Sequence, residues 1–286
     1  MDKRVLLPTD FSDNALNAMA YAQGLYENVQ CDFYVLNAYQ VSGYTLESMR
    51  VPEPGEPLYE AAKKRSEEET EQLVQMLEAR SKNTKHRFHG LSTFNSLVEA
   101  VRHTVRKNDI DTIVMGTKGV TGTKTRIFGT NTVHVMENIR QCPVIAVPSD
   151  YAFEPPKEIV FPTDFRSSFR KKEIGILKEI AELHGSTIHI IHMDRDKGQK
   201  LSEGEEANKD LLQTILGETG HDIHFLPGTN IGKGVEMYLE SIGGDMIAFL
   251  NRKHPFLWAI LSNPLIKEIG YEPKVPILEL NDNEEK

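Results

Sequence analysis

Thr112-Ile113-Val114-Met115-Gly116-Thr117-Lys118-Gly119, continued across nine residues to Gly129-Thr130-Asn131, is the stretch from which the fold is read. A short apolar run of strand-forming residues empties into Gly116-x2-Gly119-x9-Gly129-Thr130, and a helix is expected over Asn131–Arg140. Strand, glycine-bearing turn and helix start together make an anion site. The glycines let backbone N–H groups approach phosphate oxygens, and the helix N-terminus adds its donors and positive dipole end. Lys118, Lys124 and Arg126 lie in the same segment, with no acidic residue between Gly116 and Thr130. The competing reading is a wide surface turn whose Thr130 or Asn131 caps the helix. Two other phosphate loops fail on spacing. A Walker A loop needs Lys after its last glycine, but Thr123 follows Gly122 and Thr117 stands at the first glycine position; in a dinucleotide fingerprint Lys118 would occupy the second.

Outward from this stretch the chain repeats. Val5-Leu6-Leu7-Pro8-Thr9-Asp10-Phe11 recurs as Ile159-Val160-Phe161-Pro162-Thr163-Asp164-Phe165, an offset of 162 − 8 = 154. Cys142-Pro143-Val144-Ile145-Ala146-Val147 answers to Val275-Pro276-Ile277-Leu278-Glu279-Leu280, at 276 − 143 = 133. The second copy is therefore about twenty residues shorter inside. Two domains are expected, 1–150 and 151–286, joined at Asp150–Lys157 with its Pro155-Pro156.

In each copy, short β-rich runs alternate with helical patterns, which favours a parallel sheet covered by helices. Strands are expected near Arg4–Thr9, Asp32–Ala38, Arg87–Gly90, Thr112–Gly116 and Val144–Pro148, and again near Glu158–Thr163, Thr187–Met193, Asp222–Leu226, Met246–Leu250 and Pro276–Leu280. Ser12 or Asp13 can cap a helix over Ala15–Glu27, Leu58–Ser81 is long and charged, and Asn95 or Ser96 can open Leu97–Lys107. Gln40–Pro57, rich in proline and glycine, reads as an irregular flap, either a lid or a tolerated insertion. Open parallel sheets bind ligands outside the carboxyl ends of their strands, where the turn at Pro8, Thr9 and Asp10, the exit at Ala38-Tyr39 and the Gly116 loop all fall.

The formal charge of −9 divides into −2 for residues 1–150 and −7 for 151–286, from 17 basic and 19 acidic against 16 and 23. Neither half has the basic face that nucleic acid requires. There are two cysteines, Cys31 and Cys142, no apolar leader and no run of about 18 apolar residues. No membrane partner and a reducing, cytoplasmic compartment are expected. No metal site is expected either: His189 and His192 stand i and i+3 on a strand, on opposite faces. Gly-x-Ser-x-Gly is absent and no residue stands as a nucleophile.

The first-strand Asp, the Gly-x2-Gly-x9-Gly-Thr loop and the closing Pro-Val-Ile-Ala-Val resemble the universal stress protein family in its tandem-domain form. The resemblance covers nearly all of 1–150 and, more faintly, 151–282. It implies two tandem five-stranded parallel-sheet α/β domains with helices on both faces, adenine nucleotide alpha hydrolase-like and related by a pseudo-two-fold axis. It also implies a bound ATP or AMP, with or without Mg. On this reading Asp10 meets the ribose or adenine side, Pro8 and Thr9 shape that wall, and Ala38 lies by the adenine. Met115 and Gly116 flank the ribose; Gly119, Gly129, Thr130, Asn131 and Thr132 reach the phosphates, with Lys118 as counter-charge. From the residues alone, Asp10 could equally cap the following helix.

The second copy keeps Pro162-Thr163-Asp164, but aligning Asp111 with Asp245 puts Leu250 opposite Gly116 and Lys253 opposite Gly119, while Pro255–Trp258 adds apolar bulk. One nucleotide per chain, in the first copy, is the expectation. No base is placed to activate water at a γ-phosphate, since Asp10 falls at the other end of the nucleotide, so efficient catalysis is not expected. A stress-response regulator is the leading reading; a slow ATPase or phosphotransferase using the same pocket, and a structural chain with a vestigial site, are the alternatives. In the resembled family the terminal strands pair across a dimer axis, which implies intramolecular pairing of the two halves here. A further homodimer and the protein partner are left open by the sequence.

Overall fold

The computed structural model describes residues 2–41, 55–117, 129–194, 200–227, 231–251 and 274–281. The chain divides into two compact units, with the division after Phe153. In the first, β1 (Lys3–Pro8), α1 (Asp13–Leu25), β2 (Cys31–Tyr39), α2 (Pro57–Arg80), β3 (His86–Phe94), α3 (Leu97–Lys107), β4 (Thr112–Gly116), α4 (Thr130–Asn138) and β5 (Val144–Val147) follow in order. The strands lie β3-β2-β1-β4-β5, all parallel. The second unit holds β6 (Glu158–Pro162), α5 (Lys171–His184), β7 (Thr187–Asp194), α6 (Glu203–Leu216), β8 (His221–Pro227), α7 (Ile231–Ile242), β9 (Met246–Asn251) and β10 (Ile277–Asn281). Its order, β8-β7-β6-β9-β10, is the same winding.

Burial explains why these runs are strands. Val5, Leu6 and Leu7 and every residue of β4 and β5 are buried, the unbroken apolar pattern of strands covered on both faces. Right-handed crossovers put α1 and α2 on one face of the first sheet and α3 and α4, which touch each other, on the other. The edge strand β3 runs to Phe94, four residues beyond the expected Gly90, because β2 pairs with it residue by residue from Cys31↔His86 to Tyr39↔Phe94. Gly90 interrupts the apolar pattern for a packing reason. A Cβ there would stand 3.0 Å from the Thr70 methyl of α2.

The first unit ends by folding back on α1. Asn17 Nδ2 donates to the carbonyls of Pro148 (3.1 Å) and Tyr151 (3.0 Å). The Phe153 ring packs edge-on against Tyr21, with centroids 5.3 Å apart, in space left open by Gly24. Residues 42–54 of the expected Gln40–Pro57 flap, and Lys118, Gly119, Lys253 and Pro255–Trp258, lie outside the described residues. Among the described residues no helix is long and apolar enough to cross a membrane.

Candidate functional site

The winding reverses between β1 and β4: from β1 the chain proceeds to β2 and β3 on one side, while β4 and β5 lie on the other. Such a switch point opens a crevice beyond the strand ends. β1 and β4 are in register at Val5↔Thr112 and Leu6↔Ile113, so Pro8-Thr9-Asp10 and Met115-Gly116 leave the sheet side by side. The Thr9 wall is built from inside. Its N–H donates to the Leu36 carbonyl (2.9 Å) and its carbonyl accepts from Asn37 Nδ2 (2.8 Å). Asn37 Oδ1 in turn accepts from the buried Ser66 hydroxyl (2.7 Å), which meets Ser92 Oγ at 2.6 Å. A buried polar group with its partners in place is held to one rotamer.

After Thr9 the chain turns sharply. Phe11 has φ 62°, a region L residues seldom adopt, and its N–H donates to Thr9 Oγ1 at 2.9 Å. Asp10 Oδ1 accepts from the N–H (3.2 Å) and hydroxyl (2.5 Å) of Ser12. Ser12 then caps α1 by accepting from Ala15 N–H. Asp10 is therefore not the cap. It orients the residue that is, with its carboxylate exposed at the crevice.

At the other wall, Thr117 N–H donates to Val147 O (2.9 Å) and Gly129 N–H to Thr117 O (2.5 Å). The buried Thr132 hydroxyl donates to Gly116 O at 2.8 Å. This ties the first turn of α4 to the end of β4. Gly129 is the N-cap of α4, without a side-chain cap bond, and no acidic residue occupies the first turn. Thr130 and Asn131 are exposed there. A helix N-terminus of this kind is favourable to negative charge, through its backbone N–H groups and the positive end of its dipole. Gly116 serves a second purpose that the sequence did not announce. A Cβ on it would lie 2.3 Å from Asn14 Nδ2 and 2.6 Å from Asn14 Cγ, so the absent side chain admits Asn14, from the first turn of α1, against β4.

Ala38, at the end of β2, is half-buried and leads into Tyr39, which with Tyr59 and Phe94 forms an aromatic cluster with centroids 5.4–6.5 Å apart. Burial, with a hydrogen bond to Tyr59, pushes the Tyr39 phenol well above its ordinary pKa and keeps it neutral. Pro8, Thr9, Asp10, Ala38, Met115, Gly116, Gly129, Thr130, Asn131 and Thr132 are thus carried to one edge of one sheet. Asn14 and Asn37 join them without a signal in the sequence, and Tyr39 follows Ala38 to the same edge, as expected.

The second unit repeats the scaffold and changes the wall. Phe165 has φ 54° and donates to Thr163 Oγ1 (3.1 Å), and Asp164 Oδ1 accepts from Arg166 N–H (3.0 Å). His192 Nδ1 donates to Thr163 O, where Asn37 serves Thr9. Asp111 Oδ2 accepts Arg4 N–H (2.9 Å) and Asp245 Oδ2 accepts Glu158 N–H (3.0 Å). With 158 − 4 = 154 and 245 − 111 = 134, Leu250 stands where Gly116 does, since 116 + 134 = 250. Its partner Leu280 answers to Val147, the partner of Gly116.

Comparison with known proteins agrees with this geometry. The sequence model described as the universal stress protein family matches residues 1–148. A curated universal stress protein of Methanocaldococcus jannaschii is 25% identical over 145 residues, 51% of this chain and 81% of its own length. Among solved structures, a universal stress protein of Archaeoglobus fulgidus superimposes with a TM-score of 0.69 at 17% identity, over 97% of this chain and 98% of its own. A putative universal stress protein of Pseudomonas aeruginosa gives 0.60 at 15%, over 98% and 93%.

Proposed function

We propose that this chain, which belongs to the universal stress protein family, binds one adenine nucleotide, ATP or AMP with or without Mg, in the crevice of its first unit and acts as a cytoplasmic stress-response regulator without efficient turnover. The observation that carries the reading is the pairing of two prepared walls at the β1/β4 switch point. On one side is the Asp10 turn; on the other is the start of α4, tied to Gly116 through Thr132. Asp10 takes the ribose or adenine side, Ala38 lies by the base, and Gly129, Thr130 and Asn131 present backbone donors to the phosphates. The family resemblance assigns Gly119 and Lys118, which lie outside the described residues, to the phosphates as well. Leu250 at the position of Gly116 closes the equivalent route in the second unit.

The reading is tested by identifying nucleotide carried through purification by mass spectrometry and titrating the stripped chain with ATP and AMP by calorimetry. One site per chain is expected, weakened by Gly129→Val and left intact by substitutions at Leu250. Two equivalent sites, or an unchanged affinity in the Gly129→Val chain, would refute it. Turnover at the roughly 1–100 s⁻¹ of phosphotransferases would replace the regulator by an enzyme.

A further inference from the structure

The histidines of the second unit sort by strand register rather than by spacing along the chain. His192 is spent on the Thr163 carbonyl, and His221 Nδ1 donates to Thr219 O at 2.7 Å. His189 and His224 remain. In the parallel register of β7 and β8, His189 lies opposite Asp222. A strand period of two returns His224 to the same face as Asp222. Three side chains with metal-ligating atoms thereby converge. His189 Nδ1 is 2.8 Å from Asp222 Oδ1, His224 Nε2 is 3.0 Å from the same oxygen, and all three donor atoms lie within 4.8 Å of one another.

We propose that His189, Asp222 and His224 form a binding site for a divalent transition-metal ion of the zinc type. Tetrahedral ligands at zinc bond lengths stand about 3.3 Å apart, so small side-chain movements bring this set onto one ion. The second observation is the partner of the other imidazole nitrogen: His189 Nε2 lies 2.6 Å from Glu158 Oε2. A ligating histidine ordinarily donates its second N–H to a carboxylate, which fixes the tautomer and leaves the other nitrogen's lone pair for the metal. Here that leaves Nδ1, the nitrogen facing Asp222 and His224. Two carboxylates with two neutral imidazoles carry −2, which balances a divalent cation.

Tyr238 of α7 brings its hydroxyl to 3.3 Å from His189 Nδ1 and its ring to 5.1 Å from that of His224. It closes one side of the set. The side chains of Asp222 and His224 are 45% and 39% exposed, which leaves an entry path and a coordination position open to water.

The test uses the tag-free full chain, dialysed against chelator and titrated with Zn²⁺ in competition with a chromophoric chelator, with Co²⁺ as a spectroscopic probe. One equivalent should bind, and Co²⁺ should show the intense visible bands of four-coordinate nitrogen and oxygen ligation. His224→Gln and Asp222→Asn should each weaken Zn²⁺ by about 100-fold, and Glu158→Gln by about 10–100-fold through the ligand it orients. His221→Gln should leave affinity unchanged. Circular dichroism confirms folding, to which the partly exposed His224 is expected to be indifferent. Failure of the wild-type chain to bind, a six-coordinate cobalt spectrum, or equal affinity in the His224→Gln chain would each overturn the assignment.

Discussion

Gly116→Ala is the most direct probe of the crevice, because it adds a single carbon at a place where the neighbouring distances are known. The backbone there is ordinary strand paired with β5, so alanine incurs no conformational penalty. The new Cβ, however, would lie 2.3, 2.6 and 2.8 Å from Nδ2, Cγ and Oδ1 of Asn14, where ordinary contacts are near 3.4–4 Å. The Asn14 amide must withdraw by about 1 Å, by turning its side chain or by shifting the first turn of α1. Overpacking of this kind costs about 1–3 kcal/mol, which urea denaturation can measure. Because Asn14 directly follows the Asp10–Ser12 turn, ATP affinity measured by calorimetry should fall by about tenfold, roughly 1.4 kcal/mol. Asn14→Ala in the same chain removes the obstructing amide and should restore most of the stability, a coupling of about 0.5–3 kcal/mol. If Gly116→Ala is as stable as the parent, or if Asn14→Ala does not rescue it, the packing account fails. If stability falls while ATP affinity does not, the nucleotide lies elsewhere.

Gly24→Ala should destabilise by about 1–3 kcal/mol, although helix propensity alone would make it stabilising by about 1, because the added Cβ would meet the Phe153 ring at 2.3–2.6 Å; a raised midpoint in thermal unfolding would contradict this. Ser202→Ala should cost about 0.5–2 kcal/mol in urea denaturation by opening the capping box of α6, in which Ser202 N–H and Oγ both donate to Glu205 Oε2 at 2.8 Å. Those two donors hold the Glu205 carboxyl below its usual range, so the box contributes fully above that range and its contribution is lost as the pH falls through the lowered value. The Ser202→Ala penalty should therefore shrink in acid, and a penalty equal at pH 7 and pH 3 would refute the assignment. Cys31 is fully buried, with burial first and the nearby Asp32 second pushing its thiol far above the ordinary range, and Cys142 is 2% exposed. Neither should react with a thiol reagent until the chain unfolds; rapid stoichiometric labelling of the native protein would overturn that.

Periodicity and repetition made two parallel, helix-covered sheets legible in the sequence, but not the order of their strands. The apolar runs at Val5–Leu7, Thr112–Met115 and Val144–Val147 are buried in β1, β4 and β5, and Pro-Thr-Asp-Phe builds the same turn twice. The positive φ of Phe11 and Phe165 was not legible, because nothing in a phenylalanine announces a left-handed turn; the preceding threonine hydroxyl holds it. The extent of β3 was hidden for a related reason. His86–Phe94 is polar and broken by Gly90, and only pairing with β2 makes all nine residues a strand. Asn14 escaped notice because its place beside Gly116 is set by how α1 crosses β4, a tertiary relation with no local pattern. Testing histidines for ligation by their separation along one strand missed His189, Asp222 and His224, which share a face only through the register of two strands.

The two units separate what the fold requires from what a site requires. Both keep the aspartate that accepts from the first strand's N–H, Asp111 and Asp245, and both keep the threonine-braced turn after that strand. These groups terminate strands and start helices, so losing them would leave backbone donors unpaired wherever the winding is used. Among the residues that differ, Asn37 becomes His192, which keeps the bond to the threonine carbonyl, Gly116 becomes Leu250, and the second sheet carries a histidine–carboxylate cluster spanning β6, β7 and β8. A leucine costs nothing at the end of a strand, since its partner Leu280 is apolar. It is costly only to a ligand that must approach the backbone there. The substitution pattern is therefore that of a scaffold kept in both copies with different side chains at its strand ends, which is what the proposed single nucleotide crevice in the first copy and the proposed metal site in the second require.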